Sequence, residues 1–417
     1  MTRRGTAAAI AAALIAVGVV INADAANRTA PPPTPIPPHG SLSPFPSVLR
    51  TPADATRSPT IDARAALLAD LDTGQILFAQ QARTPRPIAS VTKLMTAVLA
   101  RQALRPNEEV RVDPRAVFSR QDFGSSSTLG LRPGERIRAG DLLSALLLGS
   151  ANDAAVALAI AVDGSEDAFV KHMNARAEAL GMTGTRFASA SGLDDDGRST
   201  PRDLLTLART VEADPILRSI VATRFDRIPA PRGRDRVIQN RNALLWLDED
   251  ATGMKTGTTQ GAGACVVATA SRDGRRLVAI VLGAERDAFS PAATLLNHGF
   301  EGWRPDTIVT AGTSMGAVTI RGGTVPVVAA RDLTRLVPVR SDDPSQRIAV
   351  DPRAAFPPPP DDRVATLVVR DGDLVVGTLP LIVPEVPPPP ASEGPWWSRA
   401  AGAIAHAVAD AVEALAS

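Results

Sequence analysis

The strongest constraint on this chain's fold is a pair of apolar, strand-like runs that bracket a long helical stretch. The first runs from Ala65 to Phe78, with an Asp72-Thr73-Gly74 turn in its middle that predicts two short strands. The second is Leu277-Val278-Ala279-Ile280-Val281-Leu282-Gly283, which reads as another buried strand. Between them lie Ala-rich and Leu-rich stretches of helical character, including Asp141 to Ser150 and Asn152 to Val162. Strands at both ends with helices between predict an α/β domain over residues 61–303, with a sheet built from both of its termini and packed against a helical region.

The flanks read differently. Arg3-Arg4, an apolar stretch from Ala7 to Ile21 and then Ala23-Asp24-Ala25 have the order of a secretory signal, so residues 1–26 are expected to be a signal peptide or N-terminal anchor. The apolar core is short for a spanning helix, which favours cleavage near Ala25. Residues 27–60 are rich in Pro, Ser and Thr and bury too little to fold alone, so they read as a tether. After Trp303, short Val/Ile/Thr-rich runs separated by Gly and Pro predict a small β domain over 304–386, with Val364–Val369 and Leu374–Leu379 flanking an Asp371-Gly372 turn. Residues 387–417 open with prolines and become Ala-rich. Ile404, Val408, Val412 and Leu415 make one apolar stripe there, which fits either a helix docked on the protein or one lying at a membrane interface.

Composition narrows the chemistry. A formal charge of +1 over 417 residues gives no general reason to bind nucleic acid or an anionic surface. The single cysteine, Cys265, excludes an intrachain disulfide and reads as a small buried hydrophobe within Ala264-Cys265-Val266-Val267. Of the 45 Lys and Arg residues only Lys93, Lys171 and Lys255 are lysines. Where arginine has taken over the solvated positive charges, a remaining lysine is a candidate for chemistry that needs an amine able to lose its proton.

Two of those lysines fall in short motifs. Ser90-Val91-Thr92-Lys93 runs into the apolar Leu94-Met95-Thr96-Ala97, which puts serine and lysine on one face near a helix start. A serine hydroxyl is a weak nucleophile until a base takes its proton, and a lysine whose pKa is lowered can be that base. Ser150-Ala151-Asn152 follows 60 positions after Ser90, at a junction of helical stretches, and Lys255-Thr256-Gly257-Thr258 comes 105 positions after Ser150. The lysine motif is expected to enter the strand-like run Ala264–Ala268, with Lys255 and Gly257 on one face and the glycine letting a substrate backbone approach. Each triplet alone is a weak signal; the three in this order and spacing are strong evidence.

With these motifs in place, the segment from Ala65 to Trp303 resembles the serine-type D-alanyl-D-alanine carboxypeptidases of the low-molecular-mass penicillin-binding proteins. Further stretches carry the likeness: Leu71-Asp72-Thr73-Gly74, Leu148 to Ala155, Met173-Asn174, Leu180-Gly181-Met182, Ser191-Gly192-Leu193 and Gly253 to Gly257. The resemblance implies a β-lactamase-like fold, an antiparallel sheet packed with helices, plus a small C-terminal β domain. It implies that Ser90 forms an acyl-enzyme with Lys93 as proton acceptor, that Ser150 relays a proton to the leaving amine, and that Asn152 bonds the substrate peptide. Lys255 would help keep Lys93 neutral, and Thr256, Gly257 and Thr258 would form the strand on which substrate lies. The N–H groups of Ser90 and Thr258 would make an oxyanion hole, and Arg241 in Asn240-Arg241-Asn242 would receive the terminal carboxylate. The family often has an aromatic residue or histidine where this chain has Thr258. The implied partners are peptidoglycan stem peptides ending in D-Ala-D-Ala and β-lactams as covalent inhibitors, in the cell envelope and with no cofactor, and either terminus offers a membrane contact.

Two other functions compete. A class A β-lactamase shares all three triplets but deacylates with a glutamate some 35 residues past the second, and here no glutamate lies between Glu178 and Glu212. Glu166 comes too early and reads as a solvated face residue of a helix. A non-catalytic wall-binding module would suit the tether and the β domain, yet Ser90, Lys93 and Lys255 are all retained. Metal catalysis lacks ligands, since His39, His172, His298 and His406 are scattered without zinc-site spacing.

Overall fold

The computed structural model describes residues 58–384, apart from 119–126, 232, 340–344, 352, 355–360 and 372–373. The expected signal peptide, nearly all of the tether and the C-terminal helix over 387–417 lie outside the described residues.

The two apolar runs do meet. Strands β1 (Ala65–Asp70) and β2 (Ile76–Gln80) join β3 (Ala251–Thr259), β4 (Gly263–Arg272) and β5 (Arg275–Ala284) in a five-stranded sheet of order β2-β1-β5-β4-β3. Every neighbouring pair is antiparallel, and β1 meets β5 with Leu67 opposite Ile280. The expected α/β fold with a sheet made from both ends of the domain is therefore present.

Period-two alternation explains why these strands read as continuous apolar runs. Leu67, Ala69, Val267, Val278 and Ile280 face a core shared with the helices. Their neighbours Leu68, Val266, Ala268, Leu277 and Ala279 face a second core, closed by Leu295, Leu296 and Phe300 of the helix Phe289–Gly302. A sheet covered on both faces has no solvated side on which to place polar residues. Cys265 belongs to the first core and is 2% exposed, and burial pushes its thiol up to about 11, as befits a small packed hydrophobe.

The helical side is built from α1 (Lys93–Ala103), α2 (Ala139–Leu147), α3 (Asn152–Asp163), α4 (Glu166–Ala179), α5 (Pro201–Ala213) and α6 (Pro215–Ala222). One helical expectation is corrected: α2 starts earlier than Asp141 and stops at Leu147, well short of Ser150. Ser150 takes φ +58°, a left-handed conformation that no helix can continue through. A second correction concerns the lysine motif. It does not run on into Ala264–Ala268 but occupies its own strand, β3, which hairpins back onto β4 with Lys255 opposite Val267.

Beyond Trp303 the expected β-rich region is present as two sheets. One pairs β6 (Trp303–Val309) with β9 (Leu333–Pro338). The other has the order β7-β8-β12-β11-β10, from β7 (Ser314–Ile320), β8 (Gly323–Ala329), β10 (Ser345–Val350), β11 (Arg363–Asp371) and β12 (Leu374–Ile382), with Asp371 opposite Leu374 at the foreseen hairpin. A third core containing Val327, Leu333, Leu367 and Leu379 holds these sheets together.

Gln75, beside the β1–β2 turn, ties the two parts. Its side-chain amide mimics a strand residue: Nε2 donates to Leu336 O at 2.6 Å and Oε1 accepts from Leu336 N at 3.0 Å, with the glutamine 8% exposed. Gln75→Leu would keep the volume but strand both polar groups of Leu336 in a buried place. It is expected to lower unfolding stability by about 2 kcal/mol, measured by urea denaturation; an unchanged midpoint would show that the junction rests on apolar contact alone.

Candidate active site

Ser90 sits in a single 3-10 turn, Ala89–Thr92, that leads into α1, and Lys93 is the first residue of that helix. The three-residue spacing brings their ends together: Lys93 Nζ lies 2.8 Å from Ser90 Oγ. Ser90 is half-buried, whereas Lys93 is wholly buried.

The amine has two further neighbours, Asn152 Oδ1 at 2.8 Å and the carbonyl oxygen of Ser191 at 2.6 Å. No carboxylate bonds directly to it among the described residues. Burial, followed by the positive charges of Lys255 and Arg241, holds its pKa well below the usual lysine value, against a smaller opposing effect of Asp153. A neutral amine has two hydrogens and one lone pair. Asn152 Oδ1 and Ser191 O can only accept, so they take the two hydrogens and leave the lone pair facing the Ser90 hydroxyl. This is the arrangement a proton acceptor for serine requires.

Asn152 reaches the amine because the chain breaks between α2 and α3. The left-handed Ser150, 5% exposed, turns the backbone, and Asn152 starts α3 with its N–H donating to Ser127 O at 2.8 Å. Asp153 fixes the facing loop. Its buried carboxylate accepts from the N–H groups of Leu129 and Gly130, both at 2.8 Å, and of Leu131 at 3.1 Å. Charge-assisted bonds to several peptide groups hold a loop more firmly than one neutral contact.

Strand β3 closes the opposite wall and forms one edge of the five-stranded sheet. Lys255 is buried and donates to Thr256 O at 2.9 Å; burial and then Arg241 lower its pKa to about 7. Thr256 is half-buried and Thr258 exposed, so the outer rim of the strand is open. Gly257 also packs closely against the serine turn. A Cβ there would lie 2.8 Å from Ser90 N, 2.9 Å from Ile88 O and 3.0 Å from Val91 N, so the missing side chain makes room for the serine turn.

Arg241 lies close enough to lower the pKa of both active lysines. Its side chain is exposed on one side, while the surrounding protein still lowers its own pKa through lost solvation. Its two neighbours, missed as site residues, place it: Asn240 Nδ2 donates to Val221 O and Thr223 O, and Asn242 Nδ2 donates to Gly253 O at 2.6 Å, at the start of β3. The structure thus gathers Ser90, Lys93 and Asn152 by direct bonds. Ser150 lies two residues from Asn152, and Arg241 and Lys255 act on Lys93 as neighbouring charges.

The fourth side is the loop Ser189–Gly192, foreseen only as a point of resemblance. Thr96 Oγ1 on α1 donates to Ala190 O at 2.6 Å. Gly192 has φ +65°, and a Cβ on it would fall 2.1 Å from Ala89 O, so only glycine fits against the serine turn. Glu166 is also not the solvated residue that was expected: it is half-buried and Oε1 accepts from Ala190 N at 2.9 Å.

Comparisons with known proteins agree with this geometry. A sequence model described as D-alanyl-D-alanine carboxypeptidase matches residues 52–286. The chain is 34% identical over 258 residues to D-alanyl-D-alanine carboxypeptidase DacC of Escherichia coli (strain K12), covering 58% of this chain and 62% of that protein. It is 36% identical over 257 residues to DacB2 of Mycobacterium tuberculosis, covering 60% of this chain and 86% of the relative. The crystal structure of penicillin binding protein 6B from Escherichia coli superposes with a TM-score of 0.63 at 29% identity, covering 80% of this chain and 99% of that one. Coverage of 80% exceeds what residues 58–303 alone could supply, so the structural likeness takes in sheets beyond Trp303.

Gly257→Ala tests the packing. The methyl group would meet backbone atoms that cannot rotate away, so β3 and the serine turn must part. Acylation of Ser90 by a fluorescent penicillin is expected to slow by roughly 10²-fold, the scale of an ångström-sized misplacement, with circular dichroism unchanged. Acylation at the wild-type rate would mean that the close approach has no catalytic consequence.

Proposed function

Because the chain belongs to the D-alanyl-D-alanine carboxypeptidase family, we propose that it is an exported serine carboxypeptidase that removes the terminal D-alanine from peptidoglycan stem peptides. The observation that carries the reading is the buried Lys93 amine, bonded to Ser90 Oγ and held by two acceptors.

Ser90 Oγ bonds to the carbonyl carbon of the penultimate D-alanine as its proton passes to Lys93 Nζ. Charge that develops on the carbonyl oxygen is met by the N–H groups of Ser90 and Thr258, a contribution on the order of 3 kcal/mol per donor. The close approach of Gly257 to Ser90 N supports that pairing, because it sets the serine amide beside β3. The bond to the terminal D-alanine nitrogen then breaks, and that amine leaves with a proton relayed from Lys93 through Ser150. Water attacks the resulting ester, giving a proton to Lys93, and the bond from Ser90 Oγ to the carbonyl carbon breaks as Lys93 passes that proton to Oγ, which returns Ser90 and releases a shortened stem peptide. Asn152 bonds the substrate peptide while holding Lys93. The open edge of β3 fits an extended peptide added as a further strand, with Thr256 and Thr258 beside it. Lys255 and Arg241 supply the positive charge that suits the terminal carboxylate and keep Lys93 neutral.

Penicillin presents a strained amide to the same serine, so the chain is a covalent target of β-lactams in this reading. A β-lactamase is disfavoured because no glutamate lies between Glu178 and Glu212, and the acidic loop in that stretch, at Asp194 and Asp195, is bonded within the protein. There Asp194 accepts from Ser189 Oγ, and Asp195 accepts from Thr259 Oγ1 and from Gly261 N at 3.2 Å. Residues 61–303 serve as the peptidase domain and 304–386 as the β domain, with export through residues 1–26. Either terminus offers a membrane contact in this reading, and no helix among the described residues is long and apolar enough to cross a membrane.

The test is release of D-alanine, by mass, from a peptide ending in D-Ala-D-Ala. Ser90→Ala should abolish both release and the penicillin adduct. Lys93→Arg should cut acylation by roughly 10²–10⁴-fold, the loss typical of a missing general base, since guanidinium stays protonated. Lys255→Arg should be milder, and Lys171→Arg, on the exposed face of α4, nearly silent. Wild-type acylation by Lys93→Arg would sink the mechanism.

A further inference from the structure

The residue whose carbonyl takes one hydrogen of Lys93 directly follows one bonded by a side chain that belongs to none of the three motifs. Ser191 O accepts from Lys93 Nζ at 2.6 Å, and the residue before it, Ala190, is fully buried. Both polar groups of Ala190 are occupied: its carbonyl accepts from Thr96 Oγ1 at 2.6 Å, and its N–H donates to Glu166 Oε1 at 2.9 Å. Thr96 is on the helix that carries Lys93, whereas Glu166 opens a different helix, α4.

We propose that Glu166 is a positioning residue for the Lys93 amine, acting through the Ala190-Ser191 peptide link. The proposal rests on Lys93 being the proton acceptor.

Three features support it. Glu166 stands in the first turn of α4, next to the capping Ser165, whose Oγ accepts from Ala168 N at 3.2 Å. A carboxylate is stabilised at that end of a helix, and as an anionic acceptor it holds a peptide N–H more firmly than a neutral group does. Eight residues along the same helix, Asn174 binds the start of the same ribbon: Oδ1 accepts from Phe187 N and Nδ2 donates to Phe187 O, both at 2.9 Å. Helix α4 therefore holds the ribbon at two points, Phe187 and Ala190, and only the second adjoins the Lys93 acceptor. Finally, the charges that shift Lys93 are those of Lys255, Arg241 and Asp153, so Glu166 works through the hydrogen-bonded peptide and not through its field.

In chemical terms, a fixed Ser191 carbonyl keeps one amine hydrogen occupied and so keeps the lone pair on the serine. A loosened carbonyl lets the amine rotate. The initial complex with substrate is then unaffected, and the covalent step slows.

The experiment uses the full chain and a fluorescent penicillin in stopped flow, which separates the dissociation constant of the first complex from the acylation rate constant. Glu166→Gln keeps an oxygen able to accept from Ala190 N and should stay within about threefold of wild type. Glu166→Leu removes the acceptor and should slow acylation by about 10- to 100-fold at an unchanged dissociation constant. Asn174→Leu, which frees the other end of the ribbon, should lower the melting temperature and leave the acylation constant near wild type. If Glu166→Leu does not fold, Glu166→Asp, one methylene short of Ala190 N, takes its place with the same expected loss. The proposal is overturned if the Leu or Asp variant acylates at the wild-type rate, if Gln is as slow as Leu, or if Asn174→Leu slows acylation equally. Lys93→Arg in the same assay separates the two claims: a normal rate there refutes Lys93 as base, whereas a slow Lys93→Arg beside a normal Glu166→Leu refutes only the role of Glu166.

Discussion

An ammonium group buried without a bonded carboxylate is costly, and among the described residues no carboxylate bonds to the buried Lys93. The cost is avoided if the amine gives up its proton, and the nearby charges of Lys255 and Arg241 push the same way. Once neutral, the amine is useful only if its single lone pair faces the nucleophile. Two acceptors that cannot donate, Asn152 Oδ1 and Ser191 O, settle that orientation. The rest of the domain can be understood as the support for those acceptors and for the serine turn.

The supports come from separate parts of the chain, and the sheet brings them together. Asn152 depends on the left-handed Ser150 and on Asp153, which anchors the loop at Leu129 to Leu131. Ser191 depends on Thr96 and Glu166 through Ala190. The serine turn is gripped by two glycines, Gly257 from the edge strand and Gly192 from the loop, each at a distance no side chain could occupy. Both cores are filled by apolar side chains on alternate faces of five strands, so the site is assembled on a rigid sheet.

Much of this was legible in the sequence. The apolar runs at Ala65 and Leu277 foretold the sheet, because a strand covered on both faces must be apolar at consecutive positions. Ser90, Lys93, Asn152 and Lys255 were legible because each chemical role demands a particular residue type, and the scarcity of lysine sharpened two of them. The supports were hidden for a physical reason. Asp153, Glu166, Asn240 and Asn242 bind peptide groups, which every residue has, so nothing in the partner's identity marks the pair. The closeness of Gly257 to the serine turn was not legible, since the space left by a missing Cβ has no label in one dimension. The end of α2 was misplaced because Leu148 and Gly149 continue the apolar pattern up to a residue whose backbone alone breaks it.

The protonation state of Lys93 is the central claim, and the lysine count makes it directly observable. A chain labelled with ¹⁵N at lysine Nζ carries three such side chains, Lys93, Lys171 and Lys255, each assignable by one substitution to arginine. Titrated by NMR, Lys255 should change near 7. Lys93, lowered first by burial and then by the charges of Lys255 and Arg241, should lose its proton well below the ordinary lysine range. A Lys93 signal that titrates at the ordinary lysine value of roughly 10.4 would contradict the account, because an ammonium at that position has no lone pair to offer Ser90.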